Sequence, residues 1–241
     1  MRHLILLFVL AAAAAPVAQT SSSVDWAKVD AETLQHFQAL VRFDTTDPPT
    51  APPGVEKPAV DYLKQVLDKE GIENRIYALD ANRPNLVARL KGNGRARPLL
   101  IMAHTDTVNV DAKKWSHPPF SAAREGGHIY GRGTVDDKDN VTAALMTLLL
   151  LKRNNVPLAR DVIVLFEAGE EGAVRFGIQY MVNNHYADID AEYCLAEGGG
   201  GTRERGQMKF VSVQTLEKIP RAIALTARGV AGHGSVPLQS N

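Results

Sequence analysis

Three short apolar runs in this chain each lead into side chains able to bind a metal ion, and this coincidence constrains the fold more than any other feature. Leu99–Ala103 leads to His104 and Asp106, Asp161–Glu167 to Glu170 and Glu171, and Glu192–Ala196 to Glu197. Runs of this length and composition read as strands. The continuous apolar character of Asp161–Glu167 predicts a strand covered on both faces. Between the runs lie an Ala/Leu-rich segment, Val141–Arg153, expected as a buried helix, and a shorter helix over Ile178–Asn184. Upstream, Asp30 is placed to cap a helix carrying Leu34, Phe37, Leu40 and Val41. A second helix is expected from Pro58, with Val60, Leu63 and Leu67 inward, stopping at Gly71. Further strands are expected at Arg75–Leu79 and Leu86–Leu90, after the proline-rich turn region from Phe43 to Gly54. Alternating strands and helices argue for an α/β layered domain, in which ligand sites gather at the carboxyl ends of strands.

Charge narrows the function classes. The 241 residues carry 27 basic and 27 acidic side chains, a balance that gives no electrostatic case for nucleic acid or an anionic membrane surface. Residues 1–18 differ from the rest. Arg2 and His3 precede an apolar run from Leu4 to Ala15, followed by Pro16, Val17 and Ala18. That pattern predicts a secretory leader cleaved near Ala18, and hence a secreted or periplasmic protein with no membrane span. Cys194 is the single cysteine, so no internal disulfide is possible, and its apolar neighbours predict a small buried side chain.

Each acidic motif admits more than one reading by itself. In His104-Thr105-Asp106 the period of two puts the outer side chains on one side of the chain, where Asp106 is placed to accept the second ring N–H of a metal-bound histidine. Read alone, the triplet is a weak signal and more often a polar turn after a strand. Gly131-Arg132-Gly133-Thr134-Val135-Asp136-Asp137-Lys138 turns sharply on its glycines, and paired aspartates near apolar elements call for a cation. A solvated acidic loop balanced by Arg132 and Lys138 is the alternative. Glu170-Glu171 offers diverging side chains, one for metal and one for protons, or simply a charged loop. Glu197 precedes four glycines, Gly198 to Gly201.

Together, in this order and spacing, these elements resemble the co-catalytic zinc metallopeptidases and amidohydrolases of aminoacylase, carnosinase, glutamate carboxypeptidase and succinyl-diaminopimelate desuccinylase. The likeness runs from about Asp30 to Pro237 and includes the opening segment Leu40–Pro49. It implies a three-layer α/β catalytic domain with a central mixed, largely parallel sheet over residues 19–218, and the start of an inserted α+β lid and dimerisation domain over 219–241. It further implies that His104 and Glu197 hold one zinc, that Asp136 bridges two, and that Glu171 holds the second. Asp106 orients His104, Glu170 is general base and acid, and the Asp136–Asp137 peptide bond is cis. His233, in Gly229–Pro237, is expected to reach the substrate carbonyl, in the family often across a homodimer. The implied substrate is a small peptide or N-acyl amino acid. Cobalt or manganese suits the same nitrogen and oxygen donors.

Two features depart from the family pattern. Asp139 stands where glycine is frequent, and the chain stops at Asn241, before the family's final histidine ligand. The expectation is a truncated member, weakly active or inactive as the 241-residue product. Two other classes compete: a family-like binding protein without turnover, and a metal-dependent phosphoesterase. Asp106 and Glu170 are superfluous in a pure binder, and no phosphate cradle is legible.

Overall fold

A computed structural model describes residues 24–47, 55–215, 223–226 and 228–229. The leader segment 1–18 and His233 lie outside the described residues. In chain order the elements are α1 (Trp26–Val41), α2 (Lys57–Lys69), β1 (Glu73–Tyr77), β2 (Asn85–Leu90), β3 (Leu99–His104), β4 (Ala123–Glu125), β5 (His128–Tyr130), α3 (Lys138–Arg153), β6 (Val162–Glu167), α4 (Ile178–Ile189), β7 (Tyr193–Leu195), β8 (Gly200–Glu204) and β9 (Gln207–Ser212). The chain divides into two compact units, Met1–Glu197 and Gly198–Asn241. In the second, β8 and β9 pair antiparallel as a hairpin.

The first unit is built on a five-stranded sheet in the order β1-β2-β6-β3-β7. β1–β2 and β2–β6 are antiparallel; β6–β3 and β3–β7 are parallel. The sheet is therefore mixed, and its parallel half carries the strand ends singled out in the sequence. β6 sits at the centre with every residue buried. Alternation divides its side chains: Val162, Val164 and Phe166 join a core with Leu63 and Leu67 of α2 and Leu145 and Leu148 of α3. Ile163 and Leu165 meet Met181 and Ile189 of α4 on the other face. Helices thus cover both faces, the three-layer α/β arrangement expected.

Several boundaries shift for local reasons. α1 starts earlier than its expected cap: the Asp25 carboxylate accepts the Lys28 N–H, and Asp30 is an exposed residue within the helix. α3 begins at Lys138 rather than Val141, because the Lys138 stem is buried and its Nζ donates to the Phe43 carbonyl at 2.7 Å. Cys194 is exposed, correcting the expectation of burial. Its strand is the sheet edge, and Tyr193 and Leu195 beside it are exposed as well. Among the described residues no helix is long and apolar enough to cross a membrane.

The core ties β6 to α3, so a cavity there should be costly. Leu145 is fully buried in α3; Leu145→Ala is expected to lower unfolding stability by about 2–5 kcal/mol. Urea denaturation followed by circular dichroism checks this, and a loss under about 1 kcal/mol would show that the site collapses without a cavity.

Candidate metal centre

The chain leaving β3 is locked on both sides. The Thr105 N–H and hydroxyl both donate to the Glu167 carbonyl at 2.9 Å. On the other side the opening segment pairs with it in parallel: Thr107 N–H donates to Thr45 O at 3.1 Å, and Asp47 N–H to Thr107 O at 2.8 Å. His104 is thereby fixed at the strand end, 2% exposed. Its Nδ1 lies 3.1 Å from the Asp106 carbonyl oxygen and 3.4 Å from Asp106 Oδ1, partners that favour a proton on that nitrogen. Its Nε2 faces the carboxylates of Asp136 at 2.9 Å, Glu197 at 3.5 Å and Glu170 at 3.8 Å.

Asp106 does more than brace the imidazole. Fully buried, its Oδ1 accepts the Glu170 N–H at 3.1 Å and its Oδ2 the Glu171 N–H at 2.9 Å. The turn that follows β6 is thus hung on the residue that faces His104. Gly169 starts that turn at φ +70°, and a Cβ there would come within 2.6 Å of the Ala173 carbonyl oxygen, so glycine is required. The Asp136 loop is set by Gly133, at φ +83°, where a Cβ would meet Thr107 Cγ2 at 2.9 Å. The Asp136–Asp137 peptide bond is cis, as the resemblance implies.

The two aspartates face different ways. The Asp136 side chain is 62% exposed and reaches Nε2. Asp137 is buried; its Oδ2 accepts the His104 backbone N–H at 3.0 Å, and its Oδ1 accepts the Asn140 side-chain amide. Among the described residues, two groups of donors lie close enough to share a cation, with all ligand atoms of each group within 4.8 Å: His104, Asp136 and Glu171, and His104, Asp137 and Glu197. The expected ligands His104, Asp136, Glu171 and Glu197 are thus divided between two groups that share His104, with Asp137 rather than Asp136 beside Glu197, and Asp106 and Glu170 lie against His104 as well. His36, His117, His128 and His185 instead contact Tyr62, Glu125, Gly126 and Tyr180.

Sequence reasoning missed Asp137 and Glu167. Glu167 is the register partner of His104 across the parallel β3–β6 pair, so both side chains lie on one face of the sheet. It is 4% exposed, and its Oε2 has no hydrogen-bond partner among the described residues. A buried carboxyl with an orphaned oxygen beside further acids is costly without positive charge. The nitrogen and oxygen donor set fits a divalent ion such as zinc, cobalt or manganese.

This crowding shifts the acid–base equilibria of the site. Burial opposes a charged His104, but hydrogen bonding and charge from Asp106, with Asp137 and Glu170, hold its pKa at about 10. Burial pushes Glu167 up to about 8 and Asp137 up to about 6. Burial likewise raises Glu170 and Glu171, reinforced by neighbouring carboxylates. Asp106 is lowered: burial opposes its charge, but His104 and the two backbone donors prevail.

In the metal-free protein the raised groups all act in one direction, while Asp106, whose pKa is lowered, finishes titrating at more acid pH. The contribution of His104 is complete below its ordinary value of 6.5 and lost as pH rises through about 10. The penalty of ionising Glu167 develops from its ordinary value of 4.5 up through about 8. Glu32, Glu70 and Asp161, whose pKa values are lowered, finish titrating below that range. The chelated protein should therefore lose thermal stability as pH rises from about 5 to 8, and a divalent cation should relieve the loss; above that, Lys138, lowered to about 8 by burial, acts in the opposite sense. Melting curves with chelator and with zinc test this; a metal-free Tm that is flat or rising across the window would contradict it.

Comparison with known proteins agrees with this geometry. A family profile described as Peptidase family M20/M25/M40 matches residues 100–231. The probable succinyl-diaminopimelate desuccinylase of Staphylococcus aureus strain Mu50 is 32% identical over 179 residues, covering 73% of this chain and 41% of that protein. An uncharacterized metallohydrolase of Methanocaldococcus jannaschii is 29% identical over 221 residues, covering 86% of this chain and 52% of its own. The chain thus spans about half the length of these relatives, or less. Among solved structures, the M20 family metallo-carboxypeptidase Sso-CP2 from Sulfolobus solfataricus superposes with a TM-score of 0.59 at 24% identity, covering 70% of this chain and 38% of that one. Human carnosine dipeptidase 1 gives 0.56 at 17%, covering 73% and 42%. At these identities the two structures show a shared fold. With the site and the profile on the same residues, this chain belongs to Peptidase family M20/M25/M40.

Proposed function

We propose that this chain is the metal-binding core of a hydrolase that cleaves an amide or peptide bond, with Glu170 as general base and acid. One observation carries the reading: a single buried imidazole nitrogen, His104 Nε2, lies within 3.8 Å of carboxylates from three separate loops. Crowding of this kind needs a cation, and the family membership supports a metal-dependent hydrolase. In this reading His104 and Glu197 would hold one ion, Glu171 a second, and Asp136 would be shared between them. Bound zinc, or cobalt or manganese in its place, supplies a Lewis acid and brings the pKa of its water to about 7.

The remaining chemistry belongs to the chain itself. Glu170 is half-exposed, so its carboxylate can reach a substrate, and its raised pKa moves it toward the working range of a base near neutrality. It takes a proton from the attacking water and delivers it to the departing amine. Asp106 keeps the imidazole oriented and fixes the backbone on which Glu170 rides. The substrate is a small peptide or N-acyl amino acid. The desuccinylase relative supports the acyl branch, and no nucleic-acid partner is proposed. His233 touching the substrate carbonyl, a lid domain from residue 219 serving a homodimer, and secretion or periplasmic export by the leader belong to the same proposal.

The test uses the protein expressed from its complete gene. Metal analysis should return two divalent ions per chain, and His104→Ala should lose most of them. Glu170→Ala should keep the metal and lower kcat by about 10²–10⁴-fold on the best of a panel of dipeptides and N-succinyl and N-acetyl amino acids. Unchanged turnover in Glu170→Ala removes the base assignment, and metal bound with no turnover on any member favours a binding protein.

A further inference from the structure

A second buried ionic cluster lies among groups outside the proposed ligand set. Arg83, 1% exposed, donates Nε and Nη2 to Glu56 Oε1 at 3.0 and 2.7 Å, and Nη1 to Asp47 Oδ1 at 3.2 Å. Glu56 is 0% and Asp47 9% exposed. The guanidinium carbon lies 4.7 Å from the centre of the Phe176 ring, and a Cβ placed on Gly169 would be 3.2 Å from Nη2. Gly169 and Phe176 bracket the turn that carries Glu170 and Glu171. Asp47 ends the segment that pairs with Thr107, next to Asp106.

We propose that Arg83 is a positioning residue that fixes the Glu170–Glu171 turn, a further anchor alongside the Asp106 carboxylate and the Asn85 side chain. The kinetic part of this inference rests on the hydrolase reading above; the structural part stands without it. Asp106 holds the turn at the Glu170 and Glu171 N–H groups, and Asn85 holds its ends at Ala168 N–H and Phe176 O. A guanidinium lying against Gly169 and the Phe176 ring, with its other edge held by Glu56 and Asp47, packs the side of the turn that these hydrogen bonds leave without support. Energetics point the same way. Three charged groups buried together contribute little net stability compared with apolar side chains of the same volume, so retaining them is explained by placement. Lysine cannot substitute: it lacks the planar fork that reaches Glu56 and Asp47 at once while stacking on an aromatic ring.

Two variants of the complete gene product test this. Arg83→Lys keeps the charge and loses the fork. The triple variant Arg83→Met, Glu56→Gln, Asp47→Asn removes all three charges together, so that no buried ion is left uncompensated. Hydrogen exchange is read on the Glu170 and Glu171 amides, with β3 and β6 amides as the internal reference. In both variants the turn amides should exchange about tenfold faster or more while the strand amides hold their protection. With metal content unchanged, kcat should fall by roughly 10–100-fold and KM stay within about twofold. Unchanged turn exchange in a folded variant overturns the proposal, and so does an equal loss of protection in turn and strands, which marks a general structural role. If the triple variant does not fold, Arg83→Lys decides by the same exchange criterion. If the wild type shows no hydrolysis, the functional reading fails while the exchange result still decides the role of Arg83.

Discussion

The buried carboxylate of Asp106 is the interaction on which the centre depends. It accepts the backbone N–H groups of two consecutive glutamates after β6 while facing His104, two residues before it at the end of β3. One residue therefore couples the ends of β3 and β6. Charge explains why this works. A fully buried carboxylate needs donors to satisfy its oxygens, and here two come from the turn that must be held, while the imidazole, whose Nδ1 meets the Asp106 carbonyl oxygen at 3.1 Å, lies 3.4 Å from Oδ1. Removing it would free the turn and the ring together, so the contributions of His104, Glu170 and Glu171 are not separable energies.

Around this pivot the molecule spends stability to concentrate acid. Glu167, Asp137, Glu170 and Glu171 all have raised pKa values, and in each burial is the leading cause. Such a cluster survives because the scaffold beneath it is apolar and continuous. β6 is buried along its whole length, and the cores on its two faces draw on all four helices. The acids stand where that scaffold ends, at the carboxyl edge of the parallel strands, the usual place for a ligand site in an α/β sheet.

How much of this was legible in the sequence depended on whether a residue's neighbours in the chain are also its neighbours in space. β6 was readable because both of its faces are covered by the core, so its pattern is one unbroken apolar run. Of the candidate ligand positions, His104, Glu171 and Glu197 were readable because each follows an apolar run, whereas Asp136 follows a glycine-containing loop. Lys138 hid the true start of α3, since a lysine reads as surface unless its Nζ is known to reach Phe43 O. Cys194 misled in the opposite sense: apolar chain neighbours suggest a core, but β7 is an edge strand. Asp136 and Asp137 are indistinguishable as a pair, and only the backbone of His104, more than thirty residues away in the chain, separates the buried one from the exposed one. Arg83 lies between Asn82 and Pro84 and reads as a turn; its partners at Glu56 and Asp47 leave no periodic trace.

The difference in exposure between donors is itself informative. His104 and Asp137 are locked into the scaffold by backbone hydrogen bonds, whereas Asp136, Glu170 and Glu197 stand substantially exposed on loops. The contact of 2.9 Å between His104 Nε2 and Asp136 lies where a cation would have to enter. With Nδ1 facing Asp106, Nε2 is the nitrogen a metal would take, and a proton on it, favoured by the imidazole's raised pKa, would have to leave. The partner that must then shift is Asp136, the most exposed of the set. A rigid nitrogen with adjustable oxygens around it lets a cation bind without disturbing β3, so the cost of capturing metal falls on side chains that are free to move rather than on the core.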